Sequence, residues 1–262
     1  MNSTTYWHKQ SQANPLYKDF EWNRPERISE RGKLGIIGGQ ASGFLSVAGS
    51  YKIAKENEVG QIRVLLPYIL KKSIPISADD VRFTKTSATG GLSTESLDDL
   101  IELSNWADVC LMIGDAGKSS ETSICYENMM SNTEKPLLIT RDSFDLLIHS
   151  TNILLNRNNT ALVLSFAQLQ KLFKSSYYPI VLSFNSQLTQ VVEALHKFTI
   201  TYPLCVSVFH QSNIIIAYNG EVTTTRFENP LDIWRGVTAT KMAINWTYKT
   251  KDPLQCFTAA VV

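Results

Sequence analysis

The chain has 262 residues, 25 Lys+Arg against 24 Asp+Glu, a formal net charge of +1, 44% hydrophobic and 19% charged residues. That composition is too apolar for a disordered chain and too evenly charged to create the long-range field that captures nucleic acid or an acidic membrane. No apolar run reaches the ~18 residues needed to span a bilayer, and the opening MNSTTYWHKQSQANP lacks the apolar core of a signal peptide.

Cys110, Cys125, Cys205 and Cys256 lie far apart with no C-x-x-C pair. They read as reduced, buried small hydrophobes of a cytoplasmic protein, so the sequons at Asn2, Asn158 and Asn245 carry little meaning. At about 150 residues per domain the length allows one α/β domain or two smaller ones.

Residues 1–32 are polar but hold Trp7, Tyr17, Phe20 and Trp22. Such aromatics predict an arm packed on the body or on a second subunit. From Lys33 a repeating pattern begins. KLGIIGG is a buried strand ending in glycines, FLSVAGSYKIAKEN has helical spacing, and QIRVLLP is the next strand. Residues 71–95 are loop-rich, and STESLDDLIELSNW follows as a helix capped by Ser93 or Thr94. ADVCLMIG, KPLLIT and ALVLS read as strands, separated by the helices SSETSICYENMMS and SFDLLIHSTNILL and followed by FAQLQKLF. PIVLSF fits either a strand or an apolar helical segment, because so short a run has no diagnostic period. SQLTQVVEALHKFTITY is an amphipathic helix. LCVSVF and NIIIAYNGEVTTTRF form a hairpin turning at Asn219-Gly220, and WRGVTATKMAINWTYK and PLQCFTAAVV close the chain as helices. This alternation predicts a mostly parallel sheet covered on both faces, with an antiparallel edge. Ligands in such sheets sit beyond the carboxyl ends of strands, where glycine loops enter helices.

Two loops fit. GDAGKSSET follows a strand and opens a helix, so its free N–H groups could hold an anion; the competing reading is a tight turn capped by Ser119 or Ser120, with Lys118 in solvent. A Walker A is rejected because Met112 stands where its first glycine is required. GGQASG (Gly38–Gly43) lacks the G-x-G-x-x-G register and reads as a cleft wall or, more simply, as a turn with close helix–sheet packing. Asp142 follows LLIT as a ligand-facing carboxylate or as the cap of the helix near Ser143. The four histidines form no cluster, so no metal site of the protein alone is expected. Lys241 and Lys249 read as a solvated helix face, although Arg235 and Lys241 near the helix start could meet an anion. Ser46, Ser119 and Ser165 read as caps or turns rather than nucleophiles.

The order of these pieces from Lys33 onward resembles the ADP/ATP-dependent NAD(P)H-hydrate dehydratase family, a carbohydrate-kinase-like branch of the ribokinase-like superfamily. KLGIIGGQASGF resembles the family's first strand and glycine loop, with Leu45-Ser46 where Gly-Ala is usual. NEVGQIRV resembles a Gly-x-Gly stretch and keeps only Gly60. MIGDAG resembles I-G-P-G-x-G, keeping Gly114. LLITRDSFDLL resembles the strand and D-A-D-A-L, where Asp142 matches the second aspartate and Thr140 replaces the first. Further on, Ser165 and Gln168 stand where T-P-H-x-x-E has His and Glu, and His210-Gln211 stand for a Lys-Gly. G-G-x-G-D at the last long helix aligns to Arg235–Ala239: Gly236 survives, and the catalytic aspartate position is Ala239.

The resemblance implies a ribokinase-like three-layer α/β sandwich over residues 33–262, with 1–32 as an added aromatic arm. It implies ADP or ATP with Mg as cofactor, a nucleotide or phosphorylated metabolite as ligand, and a homo-oligomer. The implied cleft is lined by Gly38, Gly39, Gly43, Gly114, Gly117, Lys118, Ser119, Arg235 and Gly236. Loss of the acid–base group costs about 10²–10⁴-fold in rate, so the expectation is a divergent relative impaired in dehydration that keeps ligand binding. Two alternatives stand beside it. One is an active dehydratase or small-molecule kinase using Asp142 or Asp232 for proton transfer. The other is a non-catalytic interaction protein using the N-terminal arm.

Overall fold

The computed structural model describes residues 5–74 and 79–262. Among them, ten strands form one sheet: β1 (Trp7–Gln10), β2 (Lys33–Gly38), β3 (Gln61–Pro67), β4 (Val81–Thr84), β5 (Val109–Gly114), β6 (Leu137–Thr140), β7 (Thr160–Leu164), β8 (Leu204–His210), β9 (Asn213–Tyr218) and β10 (Glu221–Arg226). Their spatial order is β1-β10-β9-β8-β7-β6-β5-β2-β3-β4. Pairing is parallel except at β8–β9 and β9–β10. The late hairpin is therefore a three-strand meander with two turns. Both turns use left-handed residues, Gln211 and Ser212 in one and Asn219 and Gly220 in the other, which match the twist of the strands they join.

The central strands are apolar along their whole length because both of their faces are covered. On β5, Cys110 and Met112 enter one core while Val109, Leu111 and Ile113 enter the other. The first core is roofed by α2 (Leu97–Trp106), α3 (Ser120–Asn132), α4 (Arg141–Leu147), α5 (Thr151–Asn156), α6 (Phe166–Ser175) and α7 (Leu188–Thr201). The second is roofed by α1 (Leu45–Glu56), α9 (Val237–Tyr248) and α10 (Pro253–Ala259), with the short α8 (Pro230–Trp234) leading into α9. No helix among the described residues is long and apolar enough to cross a membrane.

Three readings of the sequence need refinement. PIVLSF is neither strand nor helix: it is a connection in which Leu182 is buried while Val181 and Phe184 face outward. SFDLLIHSTNILL is two helices, α4 and α5, joined by a 3-10 turn at Ile148–Ser150. The aromatic arm contributes β1, which extends the sheet beside β10. Trp7 Nε1 donates to Thr224 Oγ1 at 2.9 Å, and buried Gln10 donates through Nε2 to Thr225 Oγ1 (2.9 Å) and to the carbonyl of Thr258 (2.7 Å). Phe20 is buried against Tyr248, whereas Trp22 is exposed.

The chain runs from β2 outward to β3 and β4, then returns to β5 on the other side of β2. The strand order thus reverses between β2 and β5, the place where ligands bind in open α/β sheets. Both glycine loops leave the sheet at this point.

Candidate functional site

The two loops are bound to each other. The amide of Gly39 donates to the carbonyl of Gly114 at 3.0 Å, and a Cβ on Gly38 would overlap that same carbonyl oxygen. A Cβ on Gly117 would overlap the Gln40 side chain. These glycines are required by chain-to-chain packing, the simpler of the two readings offered for Gly38–Gly43. Gly43 closes a small turn with Gln40, and no atom lies within 4 Å of the place its Cβ would take.

Asp142, just after β6, leans across to the loop after β5. Its Oδ1 accepts from the amide of Asp115 at 2.8 Å, and its Oδ2 accepts from the amides of Ala116 (2.8 Å) and Gly117 (3.0 Å). Amides converging at the end of a strand are the groups expected to hold a ligand anion. Here a carboxylate of the chain already occupies them. Asp142 therefore caps the neighbouring loop rather than its own helix.

Asp115 repeats the pattern one position earlier in space. It sits in the left-handed region at φ 54° and turns its carboxylate to the start of α1. Oδ2 accepts from the amide of Ser46 at 2.7 Å and Oδ1 from its hydroxyl at 3.1 Å. Arg141 completes the set: its Nη2 donates to Asp115 Oδ1 at 2.8 Å, and its Nη1 donates to the carbonyl of Trp234 at the end of α8. Arg141 is itself left-handed (φ 56°), and its carbonyl accepts from Gln168 Nε2 at 2.8 Å. Gln168 and Ser165 form the capping box of α6. One polar network thus joins Ser46, Asp115, Arg141, Asp142 and Gln168 across the switch point.

Each partner except Asp142 stands where the sequence departs from the dehydratase pattern. Ser46 replaces Ala of Gly-Ala, Asp115 lies within I-G-P-G-x-G, Arg141 within D-A-D-A-L, and Gln168 replaces Glu. The side chains at these positions are mutually complementary: the Asp115 carboxylate meets the Ser46 hydroxyl and the Arg141 guanidinium. Asp115 and Arg141 went unsingled in the sequence because each belongs to a different segment and pairs only in space.

The start of α9 is closed as well. Gly236 caps the helix with φ 81°, and its carbonyl accepts from the amide (2.9 Å) and hydroxyl (2.8 Å) of Thr240. A Cβ on Gly236 would meet the Ile113 side chain at 2.5 Å. Ala239 is fully buried and Ile233 nearly so. The space between Ser207, Ile233, Thr238 and Met242 holds no water-sized void. On the buried side of this helix start there is no room for a ligand, and position 239 supplies no carboxylate.

Arg235 is exposed on the far side of that helix start. Asp232 lies in a separate hollow of about 490 Å³ with Arg226, Thr238 and Lys241, apart from Asp142. The two carboxylates weighed for proton transfer therefore do not share a hollow. Lys118 and Ser119 line a cleft beside α3 that also reaches Gly117 and Asp142.

This sheet order, with helices on both faces and a closing antiparallel meander, defines a ribokinase-like α/β protein. The chain is similar in structure to a ribokinase-like superfamily protein of Enterococcus faecalis (13% identity, 98% of this chain and 86% of that one, TM-score 0.73). It is also similar to an ADP/ATP-dependent NAD(P)H-hydrate dehydratase of Bacillus subtilis co-crystallised with ATP/Mg²⁺ (11% identity, 94% and 86%, TM-score 0.59). A third likeness is to the phosphomethylpyrimidine kinase of Clostridium difficile 630 (10% identity, 87% and 96%, TM-score 0.54). No protein-family model and no curated protein matches the sequence. At these identities the likeness establishes the fold.

Proposed function

We propose that this chain is a divergent relative of the NAD(P)H-hydrate dehydratases that has given up dehydration and persists as a binding protein for a phosphorylated metabolite. The observation that carries this reading is the Asp142 carboxylate seated on three amides of the Gly114 loop. A ligand phosphate would have to displace a charge already held by three hydrogen bonds, each worth about 1.5–3 kcal/mol to a charged acceptor. Proton transfer needs a group within hydrogen-bond reach of the substrate. The Ala239 methyl offers none, and Asp115 and Asp142 are committed to structure. The ATP and Mg²⁺ of the Bacillus subtilis protein support a phosphate-bearing ligand class for the fold.

The deciding experiment is turnover of hydrated NADH with ADP or ATP, using folded protein at high concentration. The expected result is none. Turnover that disappears in Asp142→Ala would overturn the reading and make the chain an active enzyme.

A further inference from the structure

Between β10 and α9 the chain passes beside the last residues of β7 and β8 as the segment Glu228–Arg235, most of it α8. The segment is held lightly. Its own backbone bonds stay inside it, from Asp232 to Asn229 and from Arg235 to Leu231. Among the described residues it makes one hydrogen bond to an element other than α9, from the Arg141 guanidinium to the Trp234 carbonyl. Ile233 is the buried side chain of α8, whereas Leu231 and Trp234 are exposed. The two ends are firmer. The Phe227 amide donates to the Ser212 carbonyl at 2.9 Å, and Gly236 is fixed by Thr240. A lightly packed segment between two anchored ends is the makeup of a unit that opens on its own, without global unfolding.

Beneath Ile233 lies Ser207, near the end of β8. Its hydroxyl is buried and has no hydrogen-bond partner among the described residues, and the same holds for Arg141 Nε. The crypt around Ser207 is lined by Val163, Phe209, Ile214, Thr238 and Met242 and carries no charged side chain. In the closed position α8 gains the burial of Ile233 and forfeits the hydration of Ser207. These two effects are of the same order and opposite in sign, so the Arg141 hydrogen bond has a deciding share in the balance. The crypt also has a hollow on either side. It shares Thr238 with the hollow that holds Asp232, and it shares Val163 and Ile233 with a second hollow, of about 310 Å³, that holds Arg141 and Trp234. Residues of α8 line all three spaces, so the helix stands as a partition between the two hollows.

We propose that α8 is a latched lid. It swings out between Phe227 and Gly236, withdraws Ile233 from the crypt and merges the two hollows into one cleft over Ser207. Arg141 is the latch that keeps it shut, and because Arg141 also pairs with Asp115, the latch is set by the switch-point network. The lid is a property of this chain's own residues and does not rest on the ligand class or the loss of dehydration argued above.

The test is labelling of the intact chain with iodoacetamide in native buffer, with each thiol followed by peptide mass. Ser207→Cys places a thiol beneath Ile233. Thr238→Cys places one in another wall of the crypt and covers the case in which the first variant does not fold. Cys205, buried on the same strand but outside the crypt's lining, is the internal standard. The crypt thiol is expected to label at least about tenfold faster than Cys205, at a rate that barely changes in low urea, because lid opening exposes little surface. Arg141→Ala speeds it about tenfold, as when a hydrogen bond to a charged donor is lost, and leaves the urea dependence shallow. Labelling of the crypt thiol at the rate of Cys205 and with its urea dependence would overturn the proposal, because the crypt would then open only with the whole fold. A crypt thiol that labels no faster in Arg141→Ala would overturn it too, since nothing would then hold α8 shut through Trp234.

Discussion

A methyl group placed at Gly114 would overlap Oδ1 of Asp142. The first glycine of the loop is there for the aspartate as much as for the turn. Two residues 28 positions apart in the chain thereby fix the geometry of the switch point. Gly114 also has φ 98°, a region that a side chain occupies only under strain.

Gly114→Ala is accordingly expected to lower the unfolding free energy by about 2–4 kcal/mol, combining backbone strain with steric overlap. Urea unfolding measures it. In Gly114→Ala combined with Asp142→Ala the overlap is gone, so the two losses should sum to less than their separate values.

Arg141 holds three segments at once, through Asp115, the Trp234 carbonyl and the Gln168 amide. Arg141→Ala should cost about 1–3 kcal/mol, the range for losing hydrogen bonds to a charged partner. The loss should be local as well as global. Amide exchange in residues 230–236 is expected to quicken more than in β5 or β6, because α8 loses its tether while the strands keep theirs.

Placing an aspartate at Ala239, as the dehydratase pattern has it, should not confer dehydration. The position is fully buried in the apolar cluster under α9, where a carboxylate has no partner. Ala239→Asp is expected to destabilise by about 3–5 kcal/mol, as for an unpaired buried charge, and to give no turnover of hydrated NADH. Thermal unfolding and the turnover assay together decide it.

Burial pushes the thiols of Cys110, Cys125 and Cys256 up to about 12, and that of Cys205 well up from the usual cysteine range. In the folded chain they stay protonated at pH values where an unfolded chain ionises them. The unfolded state therefore holds fewer protons above about pH 8.5, so stability is flat in this respect below that value and falls as pH rises beyond it. The expected slope is about −1.4 kcal/mol per pH unit per thiol through pH 9–11. Denaturant titrations from pH 7 to 10 should show the downturn. Replacing Cys110 with Ala should make it shallower by one thiol's share.

The N-terminal strand is held by buried polar contacts. Gln10→Ala removes donors to Thr225 and to the Thr258 carbonyl and leaves the latter unsatisfied, at a cost of about 1–3 kcal/mol. Limited proteolysis should then cut near residues 11–16 before any site in the parallel sheet.

The parallel sheet was legible because β2, β5, β6 and β7 are unbroken apolar runs, the signature of strands buried on both faces. The Asn219-Gly220 turn was legible from its residue pair. PIVLSF misleads for a related reason: apolar residues that close a core edge and residues left exposed look alike over six positions. The edge strands β1 and β4 have too few residues for any period to show. At the site, the departures from the dehydratase pattern were legible position by position, whereas the network that joins Ser46, Asp115, Arg141 and Gln168 was not. Ser46, Asp115, Arg141 and Gln168 are ordinary polar residues until the fold brings four segments together.

Trp7 and Thr224, which share a hydrogen bond across the outer edge of the sheet, are separated by 217 positions. On a ribosome adding about 5–20 residues per second, the first strand must wait on the order of 10–40 seconds for its partner to be made. During that interval its backbone donors and acceptors, and the aromatic residues beside them, have no native place to go. The last strand to join the sheet is thus the first to be synthesised, and the central parallel strands can close without it. Closure of this seam has to bridge more than 200 residues of chain, an entropic cost that the contacts within the central parallel strands do not carry.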